Sequence, residues 1–268
     1  MMTENSWLRS AAVVAAGIVM TILITGPAAY PKQKKKAGTP EPTPTLTATP
    51  TPTPEVKVWN FDSDKAGSVA TGWKLLEADW QVIPDPTAPS KPNTYGLPAG
   101  RLLASLTHAL DYFPMTIVTD PTEYSNFSIE TAFKSTGGRF DCSGGILFRY
   151  VNDKNFYLLS AGCPSDYFSL SRMYNGKVEL LKQSVVPTDK DNWYKLKVVA
   201  QGGHFITYDD NKMVFDIDDS KIAKGRIGLW SRDDSQARFD DVTITKLSAV
   251  AAEPEASPTG GGLPSLPH

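Results

Sequence analysis

Across the middle and C-terminal parts of the chain, apolar and polar positions alternate with a period of two. YFSLSRMY (Tyr167–Tyr174), KVELLKQ (Lys177–Gln183), WYKLKVVA (Trp193–Ala200), HFITYDD (His204–Asp210), KMVFDI (Lys212–Ile217), RIGLWS (Arg226–Ser231) and VTITKL (Val242–Leu247) each predict a strand. Turn chemistry separates them at Asn175-Gly176, Gly202-Gly203, Asp209-Asp210-Asn211 and Lys224-Gly225. Further strands are predicted at Val56–Phe61, Asp79–Ile83, Arg101–Leu106, Met115–Asp120 and Ser128–Lys134. No long segment repeats at the helical period of about 3.6 residues. About a dozen short strands at this spacing predict an all-β antiparallel sandwich or barrel.

The segment CSGGILFRYVNDKNFYLLSAGC, Cys142 to Cys163, predicts a hairpin. Ile146–Val151 and Phe156–Ala161 are rich in β-branched and aromatic residues, and Asn152-Asp153-Lys154-Asn155 between them has turn chemistry. Strict alternation puts Cys142, Ile146, Phe148 and Tyr150 on one face with Tyr157, Leu159, Ala161 and Cys163, an apolar set expected in the core. Leu147, Arg149, Leu158, Ser160 and Gly162 fall on the opposite face. These two cysteines are the only ones in the chain. Folding about the hairpin centre sets them opposite each other. Opposed Cβ atoms lie about 4.5–5.5 Å apart, close to what a disulfide needs. A Cys142–Cys163 bridge is therefore expected, given an oxidising compartment. Two buried thiols that never bond are the alternative.

The N-terminus bears on that compartment. Ala11–Thr25 is almost wholly apolar and is followed by small residues at Gly26–Ala29. Residues 1–30 read as a signal peptide, with an uncleaved membrane anchor as the alternative. Lys32, Lys34, Lys35 and Lys36 follow, and positive charge prefers the cytoplasmic side. The next stretch, Thr39–Glu55, alternates Pro and Thr and cannot bury a core. Residues 31–54 read as a Lys-rich flank and an extended stalk, reaching roughly 75 Å at about 3.1 Å per residue. Residues 248–268 read as a disordered tail. One folded domain is expected at 55–247, displayed outside the cytoplasm as a monomer. The chain has 27 basic and 29 acidic residues and a formal charge of −2, so nothing points to a nucleic-acid partner.

The order of the strands carries a resemblance. GGILFRYVNDKNFYLLSAG, RMYNGKVELL, NWYKLKVVAQGGHFITYDDNKMVFDI and GRIGLWSRDDSQARFDDVTI, taken in sequence, resemble the concanavalin A-like lectin/glucanase superfamily. More narrowly, they are similar to the 3-keto-disaccharide hydrolase-type domain, related to family-sixteen glycosidases. WNFDSDKAG and GWKLLEADWQV fit the opening strands of that family. The resemblance covers nearly all of Val56–Leu247. It implies a two-sheet antiparallel jelly-roll sandwich with a concave face, a face that often meets glycans in this superfamily.

The residues do not supply a nameable catalytic apparatus. The Glu-x-Asp-x-x-Glu strand of family-sixteen enzymes is absent, and retaining hydrolysis needs two carboxyls about 5–5.5 Å apart. Glu77, Glu130 and Glu179 are isolated acids. The three histidines show no metal-ligand spacing, and neither a Gly-x-Ser-x-Gly elbow nor a phosphate loop occurs. Sugars are held by aromatic platforms and planar hydrogen-bonding groups, because their C–H faces are apolar and their hydroxyls are not. Arg149, Arg172, Tyr174 and Trp230 are the candidates for such a site. The plain alternative pairs each arginine with an aspartate and puts Trp230 in the core. Asp62 and Asp64 after the first strand, with Asp240 and Asp241 near the last, suggest a calcium site, although aspartates also cap turns. Three functions stay open: a non-catalytic glycan-binding module, a secreted 3-keto-glycoside hydrolase, and a structural or adhesive domain without a small ligand.

Overall fold

The computed structural model describes residues 54–76, 79–98, 117–118, 122–138, 142–163, 166–232 and 235–249. The signal or anchor segment, nearly all of the stalk and tail, and the strand expected at Arg101–Leu106 lie outside the described residues. Within them, the expected all-β, two-sheet antiparallel jelly-roll sandwich is what the chain forms. The first sheet runs, in spatial order, β13 (Lys212–Asp218), β12 (His204–Asp209), β11 (Tyr194–Gln201), β6 (Phe127–Ser135), β15 (Ala237–Lys246), β4 (Asn93–Gly96) and β3 (Gln81–Pro84). The N-terminal β1 (Val56–Trp59) also pairs with β15. The second sheet runs β10 (Lys177–Val185), β9 (Tyr167–Tyr174), β8 (Asn155–Cys163), β7 (Cys142–Asn152), β14 (Arg226–Ser231), β5 (Ile117–Val118) and β2 (Lys74–Leu75).

The core lies between the sheets. Phe127, Ile129, Phe133, Leu196, Val198, Phe205 and Phe239 of the first sheet meet Ile146, Phe148, Tyr157, Leu159, Phe168 and Leu170 of the second. Each is the inward member of an alternating strand, and full burial of one such side chain is worth about 1.5–3 kcal/mol. The strand at β4 has no apolar alternation in Asn93-Thr94-Tyr95-Gly96, so the sequence pattern missed it. It forms because Tyr95 packs on Phe61, Trp73 and Trp80 while its backbone pairs with β3 and β15.

Cys142 lies directly opposite Cys163, and the two form a disulfide with Cα atoms 5.3 Å apart. The hairpin departs from strict alternation further along. The register shifts between Phe148 and Asn152, and Arg149 takes a left-handed conformation with φ 49°. This bulge exchanges the two faces. Tyr150, expected inside, joins Leu147, Phe156, Leu158 and Trp230 in a second apolar cluster. Arg149, expected outside, enters the main core with its guanidinium 4.8 Å from the centre of the Phe205 ring. Gly225 makes the bulge possible: a Cβ there would lie 2.4 Å from the carbonyl carbon of Arg149.

Candidate functional site

The strand pairings of β8, β9 and β10 set Tyr157, Arg172 and Glu179 side by side. Beyond them, the chain leaving β13 carries Asp219 toward the second sheet. Arg172, almost wholly buried, bonds Asp219 through Nη1 and Glu179 through Nη2, the latter at 2.6 Å. The Tyr157 hydroxyl donates to Asp219 Oδ1 at 2.6 Å and accepts from the Ile222 amide at 3.2 Å. Burial pushes the Tyr157 hydroxyl pKa up, so it stays a donor at neutral pH. Tyr174 stands at the rim, 38% exposed, with its ring 5.9 Å from the Arg172 guanidinium.

An open cleft adjoins this cluster and shares Asp219 with it. Gln201, Gly203 and His204 line one side and Asp218, Asp219 and Ser220 the other. The Asp219 amide donates to the Gly203 carbonyl at 2.7 Å, which joins the two loops. His204 lies between two carboxylates of the neighbouring strand, with Nδ1 2.9 Å from Asp218 and Nε2 3.2 Å from Asp216. The cluster and cleft therefore present one exposed aromatic ring, one guanidinium fixed between two carboxylates, and several hydroxyl-sized acceptors. Such a set can hold a polyhydroxylated ring by its edge and its apolar face.

The four residues singled out from the sequence part company here. Arg172 and Tyr174 come together in the cluster. Arg149 is fully buried and donates to the carbonyls of Ile222, Ser125 and Gly202, at 2.8, 2.8 and 2.5 Å. Trp230 is 2% exposed in the second apolar cluster, so its ring presents no platform. The reason for both is the packing of β7: the bulge drives Arg149 inward, and Leu147, Tyr150 and Leu158 close around Trp230. Alternation alone did not find Glu179, Asp219 or His204. Glu179 is one strand away from Arg172, and Asp219 lies just past the end of β13, in a segment to which alternation assigns no face.

The proposed calcium residues have other engagements. Asp240 accepts from the Ser90 amide and hydroxyl, both at 2.9 Å, and Asp62 accepts from the Asn93 amide at 3.4 Å. Among the described residues, no group of three or more His, Cys, Asp or Glu could hold a metal ion.

Residues 114–245 match the family model of the 3-keto-alpha-glucoside-1,2-lyase-like domain. The levanase of Bacillus subtilis (strain 168) is 31% identical over 122 residues, which are 44% of this chain and 18% of the levanase. The chain thus spans less than a fifth of that enzyme's length. The solved structure of the carbohydrate-binding module CBM66 from Bacillus subtilis superimposes with a TM-score of 0.52 at 25% identity. That likeness covers 65% of this chain and 95% of the module.

Proposed function

We propose that this concanavalin A-like domain of the 3-keto-disaccharide hydrolase type binds a glycan at the Arg172 cluster and its cleft, without cleaving it. The single observation that carries the reading is exposed Tyr174 set beside Arg172, itself fixed between Glu179 and Asp219. In such a site the ring takes the C–H face of a sugar, and the exposed edge of Glu179 with the cleft residues takes its hydroxyls. Likeness to a carbohydrate-binding module over nearly its full length supports the same conclusion. The apolar N-terminal segment and the Pro/Thr stalk complete the proposal: an exported or membrane-anchored module held away from the surface.

The test is affinity electrophoresis of the protein through gels containing levan, the polysaccharide named in the relative's activity, and through a panel of other polysaccharides. Retardation by at least one is expected. Tyr174→Ala should weaken it about tenfold, as loss of a contact worth about 1.4 kcal/mol does, with an unchanged melting temperature. Trp230→Ala should do the reverse, costing about 3–5 kcal/mol of stability through the cavity while sparing affinity. Retardation by no polysaccharide would leave the structural or adhesive reading in its place. The hydrolase reading has one observation in its favour: Glu179 and Asp219 converge on Arg172. Release of sugar from 3-keto-glycosides, abolished by Glu179→Gln, would establish it over the binding module.

A further inference from the structure

We propose that Arg149 is a positioning residue that sets the spacing of the two cleft loops without touching the ligand. The inference rests on the reading of that cleft as the glycan site. A guanidinium in the core of a sandwich is costly to desolvate, and an aliphatic side chain would fill the same space. Arg149 is nonetheless fully buried, and its hydrogen bonds all run to backbone carbonyls of different segments. Ser125 precedes β6, Gly202 forms the β11–β12 turn, and Ile222 follows β13.

Two of these anchors flank the cleft. Gly202 lies between Gln201 and Gly203, which line one side, and Ile222 follows Ser220, which lines the other. One rigid fork therefore reaches both walls at once. The Phe205 ring beneath the guanidinium fixes its plane. The bulge that turns Arg149 inward, and the bare backbone of Gly225 packed against it, hold the base of the fork. Burial lowers the Arg149 pKa, yet an arginine keeps its proton at any physiological pH. Two further bonds act on the same loops: Gly202 N–H donates to Asn126 Oδ1 at 2.8 Å, and Ile222 N–H to the Tyr157 hydroxyl at 3.2 Å. A lysine ammonium, a point charge on a flexible stem, cannot reproduce a planar fork that spans both walls.

The full-length Arg149→Lys and Arg149→Met variants test this by amide hydrogen exchange and by retardation in levan or another retarding polysaccharide. Exchange should rise about tenfold at 202–203 and at 219–222, with the sheets unchanged. Retardation should weaken about tenfold, less in Arg149→Lys. Ile244→Val, a core change elsewhere, should lower the melting temperature and leave both readouts alone. Should Arg149→Met not fold, Arg149→Lys and Asn126→Ala, which cuts the second anchor of Gly202, carry the test. Wild-type exchange at both loops in a folded Arg149 variant would overturn the inference, as would loosened loops with wild-type affinity. If the wild-type protein binds no polysaccharide, the glycan reading fails separately, and loop exchange alone decides whether Arg149 is the clamp.

Discussion

Asp240 is fully buried, and its carboxylate accepts hydrogen bonds from Ser90 and from the Asp241 amide. Burial outweighs those bonds and pushes its pKa from an ordinary 3.8 up to about 6, with the Asp241 charge adding to the rise. Asp209 is pushed to about 6 as well, by burial and then by the neighbouring charge of Asp210. A carboxyl with a raised folded pKa binds its proton more tightly when folded. The penalty of its charge is present at pH 7 and is relieved as the pH falls through about 6 toward 4. For Asp240 the gain is about 2–3 kcal/mol. The urea midpoint should therefore rise between pH 7 and pH 5, and Asp240→Asn should flatten that rise. A midpoint that falls steadily over this range would refute the assignment. Residue identity alone could not have told these carboxylates from the solvated ones. The same holds for Arg149 and Arg172, both arginines in alternating strands. Arg172 keeps its expected neighbour Tyr174, whereas one left-handed residue sends Arg149 to the other side of the sheet.

At the scale of elements, alternation and turn chemistry made most of the strands legible, because a strand with one buried face must alternate. The Cys142–Cys163 pairing was legible because the two cysteines stand at the two ends of one hairpin, within the two-position register shift that the bulge at Arg149 introduces beyond the turn. Its bridge closes a sequence separation of 21 residues and should contribute about 3 kcal/mol in the chain-entropy picture. Replacing both cysteines by alanine should shift the urea midpoint accordingly, and peptide mapping without reductant should recover the linked pair. A wild-type midpoint in the double variant would remove the bridge from the stability account. Other elements were illegible. The strand at β4 is held by neighbours far along the chain, with no pattern of its own. The edge strand β10 departs from plain alternation: its register shifts between Leu180 and Lys182, Leu181 packs against the main core, and Val178, Leu180 and Val185 are 45%, 55% and 77% exposed, with no strand among the described residues pairing with its outer edge.

At the scale of the whole molecule, the apolar N-terminal run and the stalk predict that the domain lies outside the cytoplasmic membrane. Protease added to intact cells should remove it. Complete protection, with accessible surface controls digested, would show that the lysines after the apolar run had determined the orientation. By itself the sequence determined the fold class, the strand pairings around well-formed turns and the disulfide pairing, and it predicts a stalk, a domain and a tail. These follow from short-range periodicity and composition, which act between residues near in sequence. Only the tertiary structure decided which polar residues meet. Glu179 reaches Arg172 across the short β9–β10 hairpin, but Asp219 comes from the other sheet, 47 residues further along the chain, and brings the His204 cleft beside them. It also decided that Arg149 faces the core and Trp230 is covered, because a single bulge inverts the alternation and only the packed neighbours fix where that bulge falls.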